Sequence, residues 1–271
     1  MKIGLQVYSI RDDAANDFAA AMKKVKAMGY DGVELAGAYG LSAAEIKNIL
    51  AEVGLEVISA HIPLEEMEKD PEGVFSFYEE IGCRFAAVPW LSEARRPGNA
   101  RFEETVASIR ALGAKAKEHG IQLLYHNHDF EFVKVDGEYA LDMLYRVVEP
   151  EYLATEIDTC WVNVAGENPA EYVRKYTGRA PIVHLKDFFM EDGADKDGMY
   201  ELIGVDKKAS ARPSFEFRCV GHGKQSFPGI IAAAEEAGAG WLIVEQDRPS
   251  QGLQPMECVD ISRKYLRSIG Y

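Results

Sequence analysis

The chain predicts a closed (β/α)8 barrel, a single domain over residues 1–271. Eight short apolar runs alternate with eight longer amphipathic ones, which calls for a parallel sheet, and the length suits a sheet of eight strands closed on itself. The strand runs begin at Lys2, Gly32, Glu56, Phe85, Ile121, Tyr152, Pro181 and Trp241. Helical periodicity fills the intervals over 17–28, 42–53, 71–81, 101–119, 139–148, 169–176, 227–237 and 255–268. Ser42 followed by Glu45 makes a capping box, and Gly29, Gly54 and Gly120 sit where helices end. An open doubly wound sheet is the alternative. It needs a glycine-rich phosphate loop after the first strand, and Gln6-Val7-Tyr8-Ser9-Ile10-Arg11 is unlike one. One stretch breaks the alternation, an irregular insertion over 188–225. Phe215-Glu216-Phe217 reads as a short strand inside it. Asp192 to Gly198 reads as a solvated turn, and Ala194 and Lys196 stand where an EF-hand needs carboxylates.

The formal net charge of −14 argues against nucleic acid as a partner, since phosphate backbones demand clustered Lys and Arg. No apolar run is long enough to cross a membrane. The first apolar stretch, broken by Gln6 and followed by Arg11-Asp12-Asp13, does not read as a signal peptide. Cys83, Cys160, Cys219 and Cys258 are scattered with no CxxC pair, which suits a reducing cytoplasm better than a disulfide framework. A cytoplasmic location is therefore expected, with assembly into a homo-oligomer left open.

Four strand runs end alike, in His126-Asn127-His128, Glu156-Ile157-Asp158, His184-Leu185-Lys186 and Glu245-Gln246-Asp247. Residues two apart on a strand point the same way, so each run aims two polar or ionisable side chains at one place. In barrels the strand C-termini form the active site, and buried charges need partners or metal. Asp158, His184, Glu245 and one of His126 or His128 offer an N/O donor set for a divalent ion such as Mn, Mg, Co or Zn. Glu156, two residues deeper than Asp158, is read either as a buried partner of Lys186 or as catalytic. His61 and Glu34 end earlier strands and can line the same mouth, and Lys186 can hold a substrate oxygen. Trp161, Trp90, Tyr8 and Phe188 lie near strand ends, where an aromatic face suits a sugar ring. His222, between Gly221 and Gly223, precedes a helix start at Ser226 that can hold an anion.

At these residues the chain resembles the xylose isomerase-like barrel superfamily, which includes sugar phosphate isomerases and epimerases, inosose dehydratases and endonuclease IV. The matching pieces run from Ile3-Gly4-Leu5-Gln6-Val7-Tyr8-Ser9 and Gly32-Val33-Glu34-Leu35 through Tyr125-His126-Asn127-His128-Asp129-Phe130-Glu131-Phe132 and Glu156-Ile157-Asp158-Thr159. They end with His184-Leu185-Lys186-Asp187 and Leu242-Ile243-Val244-Glu245-Gln246-Asp247. The resemblance implies one divalent metal, with Asp158, His184 and Glu245 matching three ligands. His126 stands where the family usually carries a Glu before Asn-His, and His222 where many relatives carry Gly-Glu-Gly. Without that first carboxylate a symmetric two-glutamate epimerase loses half its machinery, and a His-rich fifth strand also resembles dehydratases and keto-sugar lyases. The expected function is a metal-dependent isomerase or epimerase of a small sugar or keto-sugar, working by proton abstraction α to a carbonyl. Glu245 is the first choice of base, with His126 or His128 on the opposite side. Dehydratase or lyase is the close alternative, and a non-catalytic sugar-binding barrel the alternative of another class.

Overall fold

The computed structural model describes residues 1–191 and 215–271. Strands β1 (Lys2–Gln6), β2 (Gly32–Leu35), β3 (Glu56–His61), β4 (Phe85–Val88) and β5 (Gln122–His126) lead into the two-residue hairpin β6 (Lys134–Val135) and β7 (Glu138–Tyr139). Then come β8 (Ala154–Asp158), β9 (Ile182–Leu185), β10 (Asp187–Met190), β11 (Phe215–Arg218) and β12 (Trp241–Val244). Eight of these close a parallel barrel in the order β1, β12, β9, β8, β5, β4, β3, β2. The seam is tight, with Leu5 of β1 opposite Val244 of β12 on one side and Val33 of β2 on the other.

The helices are α1 (Arg11–Asn16), α2 (Phe18–Met28), α3 (Ala43–Val53), α4 (Leu64–Lys69), α5 (Pro71–Ile81), α6 (Phe102–Glu118), α7 (Ala140–Val147), α8 (Thr159–Val164), α9 (Pro169–Lys175), α10 (Phe227–Ala237) and α11 (Pro255–Ser268). All eight expected helices form. The Ser42–Glu45 capping box is present, and Gly29 and Gly54 close α2 and α3 in the left-handed conformation that glycine adopts without a Cβ penalty. The sequence reading missed α1, α4 and α8. Each has six residues, too few to show a 3.6-residue period.

Two apolar zones fix the barrel. The larger lies between strands and helices and includes Leu5, Val33, Leu123, Ile157 and Leu242. The smaller plugs the barrel floor with Ile58, Ala87, Leu124, Ala154, Ile182 and Ile243. Gly4 faces that plug because nothing larger fits: a Cβ there would lie 2.4 Å from Ile58 Cδ1 and 2.6 Å from Ile243 Cδ1. The floor is therefore dry and close-packed, and the polar strand tips stand above it.

The irregular stretch is partly regular. β10 pairs antiparallel with β11, so the expected Phe215–Phe217 strand exists with a partner that the sequence reading did not propose. The turn read at Asp192 to Gly198 lies outside the described residues. Cys219, just past β11, is disulfide-bonded to Cys258 of α11, which corrects the expectation of unpaired cysteines. The partners are 39 residues apart in sequence, and only the fold brings them together. Cys83 and Cys160 are free and buried. Among the described residues no helix is long and apolar enough to cross a membrane.

Candidate active site

Above the floor, the strand ends turn polar. β5 supplies His126, β8 supplies Glu156 and Asp158, and β9 supplies His184; Lys186 follows β9 and Glu245 follows β12. All six are buried. They form two tiers, with His126 and His184 in both.

The outer tier faces the mouth. Lys186 Nζ lies 2.9 Å from Asp247 Oδ2, 3.2 Å from Glu245 Oε2 and 3.5 Å from Asp158 Oδ2. His126 Nε2 is 3.6 Å from Asp158 Oδ2, and His184 Nδ1 is 3.0 Å from Glu245 Oε2. In the inner tier, His61 Nε2 is 2.7 Å from Glu156 Oε2 and 3.2 Å from Glu34 Oε1. His126 turns Nδ1 toward Glu156 at 3.2 Å. His184 turns Nε2 toward Glu34 at 2.9 Å, an ion-pair distance outside hydrogen-bond alignment. His126 and His184 thus each show one nitrogen to each tier. Glu156 does not pair with Lys186, as one sequence reading had it. It sits a step lower, among three histidines.

Several residues hold this array in place, and the sequence reading passed over them. Asn127 clamps the neighbouring strand: its Oδ1 accepts from Asp158 N at 2.9 Å and its Nδ2 donates to Asp158 O at 3.2 Å. Gln6 Nε2 donates to Glu34 Oε1 at 2.8 Å while its Oε1 accepts from Tyr8 N. Asp158 Oδ1 caps α8 by accepting from Cys160 N at 2.8 Å. That leaves Asp158 Oδ2 buried with no hydrogen-bond partner, aimed into the outer tier.

Such an atom is what a metal ligand looks like before its ion is considered. One donor atom each from His126, Asp158, His184 and Glu245 lies within 4.8 Å of the others, and the same holds for His61, His126, Glu156 and His184. In the outer tier three carboxylates, of Asp158, Glu245 and Asp247, face one ammonium. The residual charge and the mixed N/O donors fit a divalent ion such as Mn, Co or Zn.

The electrostatics follow from burial and proximity. Burial pushes Asp158 up to about 6, against the pull of Lys186. For Glu245 burial works in the same direction, but Lys186 and His184 outweigh it and hold the carboxyl well below the usual range. Burial also opposes charge on His61, yet Glu34 and Glu156 raise it to about 9. His126 goes the other way, to about 4, because its burial dominates.

A cavity of about 730 Å³ opens over the outer tier, with His61, His126, His128, Lys186, Glu245 and Asp247 on one side. His128 is buried there with Nδ1 unpartnered, its ring stacked on Phe130 at 5.1 Å. Tyr8 and Trp90 line the cavity. Three expected substrate contacts, Trp161, His222 and Glu34, do not. Trp161 is fully buried, packed with Phe188, Phe215 and Phe217, and meets the site through Lys186 Nζ, 5.3 Å from its ring centre, and through the His128 ring, 5.5 Å between centres. His222 is exposed in a turn away from the cavity lining. Its flanking glycines serve a carboxylate of the chain itself: Gly221 N, Gly223 N and Gln225 N donate to Asp187. A Cβ on Gly223 would lie 2.3 Å from Asp187 Oδ1, so the close approach expected of these glycines exists, with Asp187 in place of a bound anion. Glu34 does not line the cavity and meets its lining through His61.

A model of the xylose isomerase-like TIM barrel matches residues 22–269. The chain belongs to this family. An inosose dehydratase from Lacticaseibacillus casei is 26% identical over 272 residues, covering 92% of this chain and 88% of the relative. Among solved structures, a sugar phosphate isomerase/epimerase from Parabacteroides distasonis superposes with a TM-score of 0.77 at 20% identity, covering 99% of this chain and 94% of the other. A probable 3-DHS dehydratase from Bacillus anthracis superposes at 0.75 with 14% identity, covering 98% and 99%. At such identities the two structures speak for the fold, which both share.

Proposed function

We propose that this family member is a divalent-metal-dependent enzyme that removes a proton α to the carbonyl of a small keto-polyol or keto-sugar and then eliminates water. The observation that carries the reading is the pairing of Glu245 with Lys186. A carboxylate and an ammonium stand 3.2 Å apart on one cavity wall. An elimination needs one base and one acid, and two groups on one wall serve a syn departure.

Glu245 takes the proton from the carbon beside the carbonyl. As the β-hydroxyl leaves, Lys186 gives it a proton, so that the C–O bond breaks to water and a conjugated enone remains. Asp158 and Asp247 keep Lys186 charged for that role. His126, His184, Asp158 and Glu245 would hold the ion, which supplies Lewis-acid polarisation of the substrate oxygens. Glu156 and Glu34 orient the two ligand imidazoles from below, as carboxylates behind metal-bound histidines do. His128, which lines the cavity, is assigned to a substrate hydroxyl.

His126 in place of a second glutamate favours elimination over symmetric epimerisation, and so does the identity with inosose dehydratases. The test is turnover of inososes and keto-sugars by Mn-loaded protein in D2O. Loss of water with deuterium in recovered substrate or product is the expected result. An isomerised sugar carrying solvent deuterium with no water lost would assign the isomerase or epimerase reaction instead. Turnover with no deuterium entering either compound would remove both readings.

A further inference from the structure

Only one side of the cavity carries the chemistry. The other side comes from the first four strands and is mostly apolar, with Tyr8 after β1, Pro63 after β3, Val74 and Phe77 on α5, and Pro89 and Trp90 after β4, together with the charged Arg11, Glu66 and Asp70. Trp90 and Tyr8 belong to none of the three apolar clusters among the described residues, so neither is needed to fill the core. Tyr8 is 39% exposed, with the Arg11 guanidinium 4.3 Å from its ring centre. The volume adds to this. About 730 Å³ lies in the range of roughly 300–1,000 Å³ typical of pockets for drug-sized ligands, and is generous for one sugar ring. A sugar ring stacks a C–H face on a single aromatic side chain, and this wall carries Tyr8, Phe77, Tyr78 and Trp90, more than one ring covers.

We propose that the apolar wall is a subsite for a planar, apolar substituent carried on the sugar or polyol. The ligand is then glycoside-like, with its polar ring over Glu245 and Lys186 and an aromatic group against Trp90 and Phe77. The placement of the polar ring rests on the function proposed above; the aromatic subsite rests on the wall itself.

The probes are methyl β-D-glucopyranoside and phenyl β-D-glucopyranoside, two unreactive compounds that differ only in the substituent. Their affinities for Mn-loaded protein are compared by titration calorimetry. The phenyl glycoside is expected to bind roughly tenfold tighter or better, a difference of about 1.4 kcal/mol. Trp90→Ala and Val74→Asp should each erase most of that ratio while leaving methyl glycoside affinity in place. Val74→Asp charges the wall without opening a void, so it keeps the test alive if Trp90→Ala unfolds. Equal affinities for the two glycosides, no binding of either, or a ratio that survives both variants would overturn the subsite. Deuterium exchange is read separately. A phenyl preference in protein that catalyses no exchange would sink the proposed reaction and leave the subsite standing.

Discussion

On the side of β5, β8, β9 and β12 the cavity wall is made of strand tips. Its side chains are buried, paired with one another and braced by backbone contacts such as the Asn127 clamp on Asp158. On the side of β1 to β4 the wall is made of connecting segments and the α5 helix, and its side chains include the half-buried Val74, Phe77, Pro89 and Trp90 and the exposed Tyr8 and Pro63. The difference separates two tasks. Groups that must sit within a fraction of an ångström of reacting atoms are mounted on the sheet, and groups that need only shape and apolar area are mounted on loops. Substitutions on the first side should move metal content and rate, and substitutions on the second should move affinity alone.

Asp158→Ala should have the largest effect. It removes the unpartnered Oδ2, and stoichiometric binding of Mn, Co or Zn should vanish in elemental analysis of the purified protein. Unchanged metal content would break the assignment of the strand-tip side. Lys186→Met comes next. Water elimination should fall by about 10²–10⁴, the usual share of a general acid, while exchange of the α-proton persists. Equal loss of both would mean that Lys186 binds substrate rather than protonating the leaving group.

The third prediction concerns stability. Glu131, behind the fifth strand, accepts from His128 N at 2.7 Å and from the Tyr125 hydroxyl. Burial lifts its carboxyl from 4.5 to about 7. A native value raised above the unfolded one gives stability that is full below about pH 4.5 and drains away as pH rises through 7. The swing is on the order of 3 kcal/mol. Glu131→Gln should flatten that part of a denaturation series run from pH 4 to 8 (about the span of the two values). A slope identical to the parent's would show that Glu131 is ionised throughout. Glu34→Gln should weaken metal affinity by roughly 10- to 100-fold without any contact between Glu34 and the ion, through looser aim of His184. Unaltered affinity would reduce the inner tier to packing. The smallest effect belongs to the loop side: Phe77→Ala should raise KM several-fold with kcat kept. A fall in kcat instead would end the division of labour between the two sides.

The same division decides what the sequence shows. Strand tips were legible because a two-residue period and an apolar run write orientation directly into the chain, so Asp158, His184 and Glu245 could be placed together from spacing alone. The pairing of Glu156 was not, since which tier a side chain enters depends on the stagger between strands: His126 lies beside Glu156, but Asp158 beside His184. The apolar wall was mostly hidden. Val74 and Phe77 look like ordinary core positions of α5, and only the folded chain gives them a cavity to line. Trp161 erred in the opposite direction. Its place after Asp158 suggested the mouth, but α8 turns it inward onto Phe215 and Phe217. The glycines around His222 signalled close approach correctly, and the sequence had no way to say that Asp187 was what approached.

The histidines shared between tiers limit how the site can be loaded. A neutral imidazole has a single acceptor nitrogen; the other carries hydrogen. An ion seated on His126 Nε2 and His184 Nδ1 therefore turns both ring N–H groups down toward Glu156 and Glu34, and an ion below would reverse both rings' protons. The two four-residue donor sets are alternatives rather than neighbours. The two sets share His126 and His184, so with neutral imidazoles an ion in one seat takes the acceptor nitrogens that the other would need. Loading the upper seat also relieves His184 of the extra proton that Glu156 and Glu34 hold on it, so metal uptake should acidify an unbuffered solution.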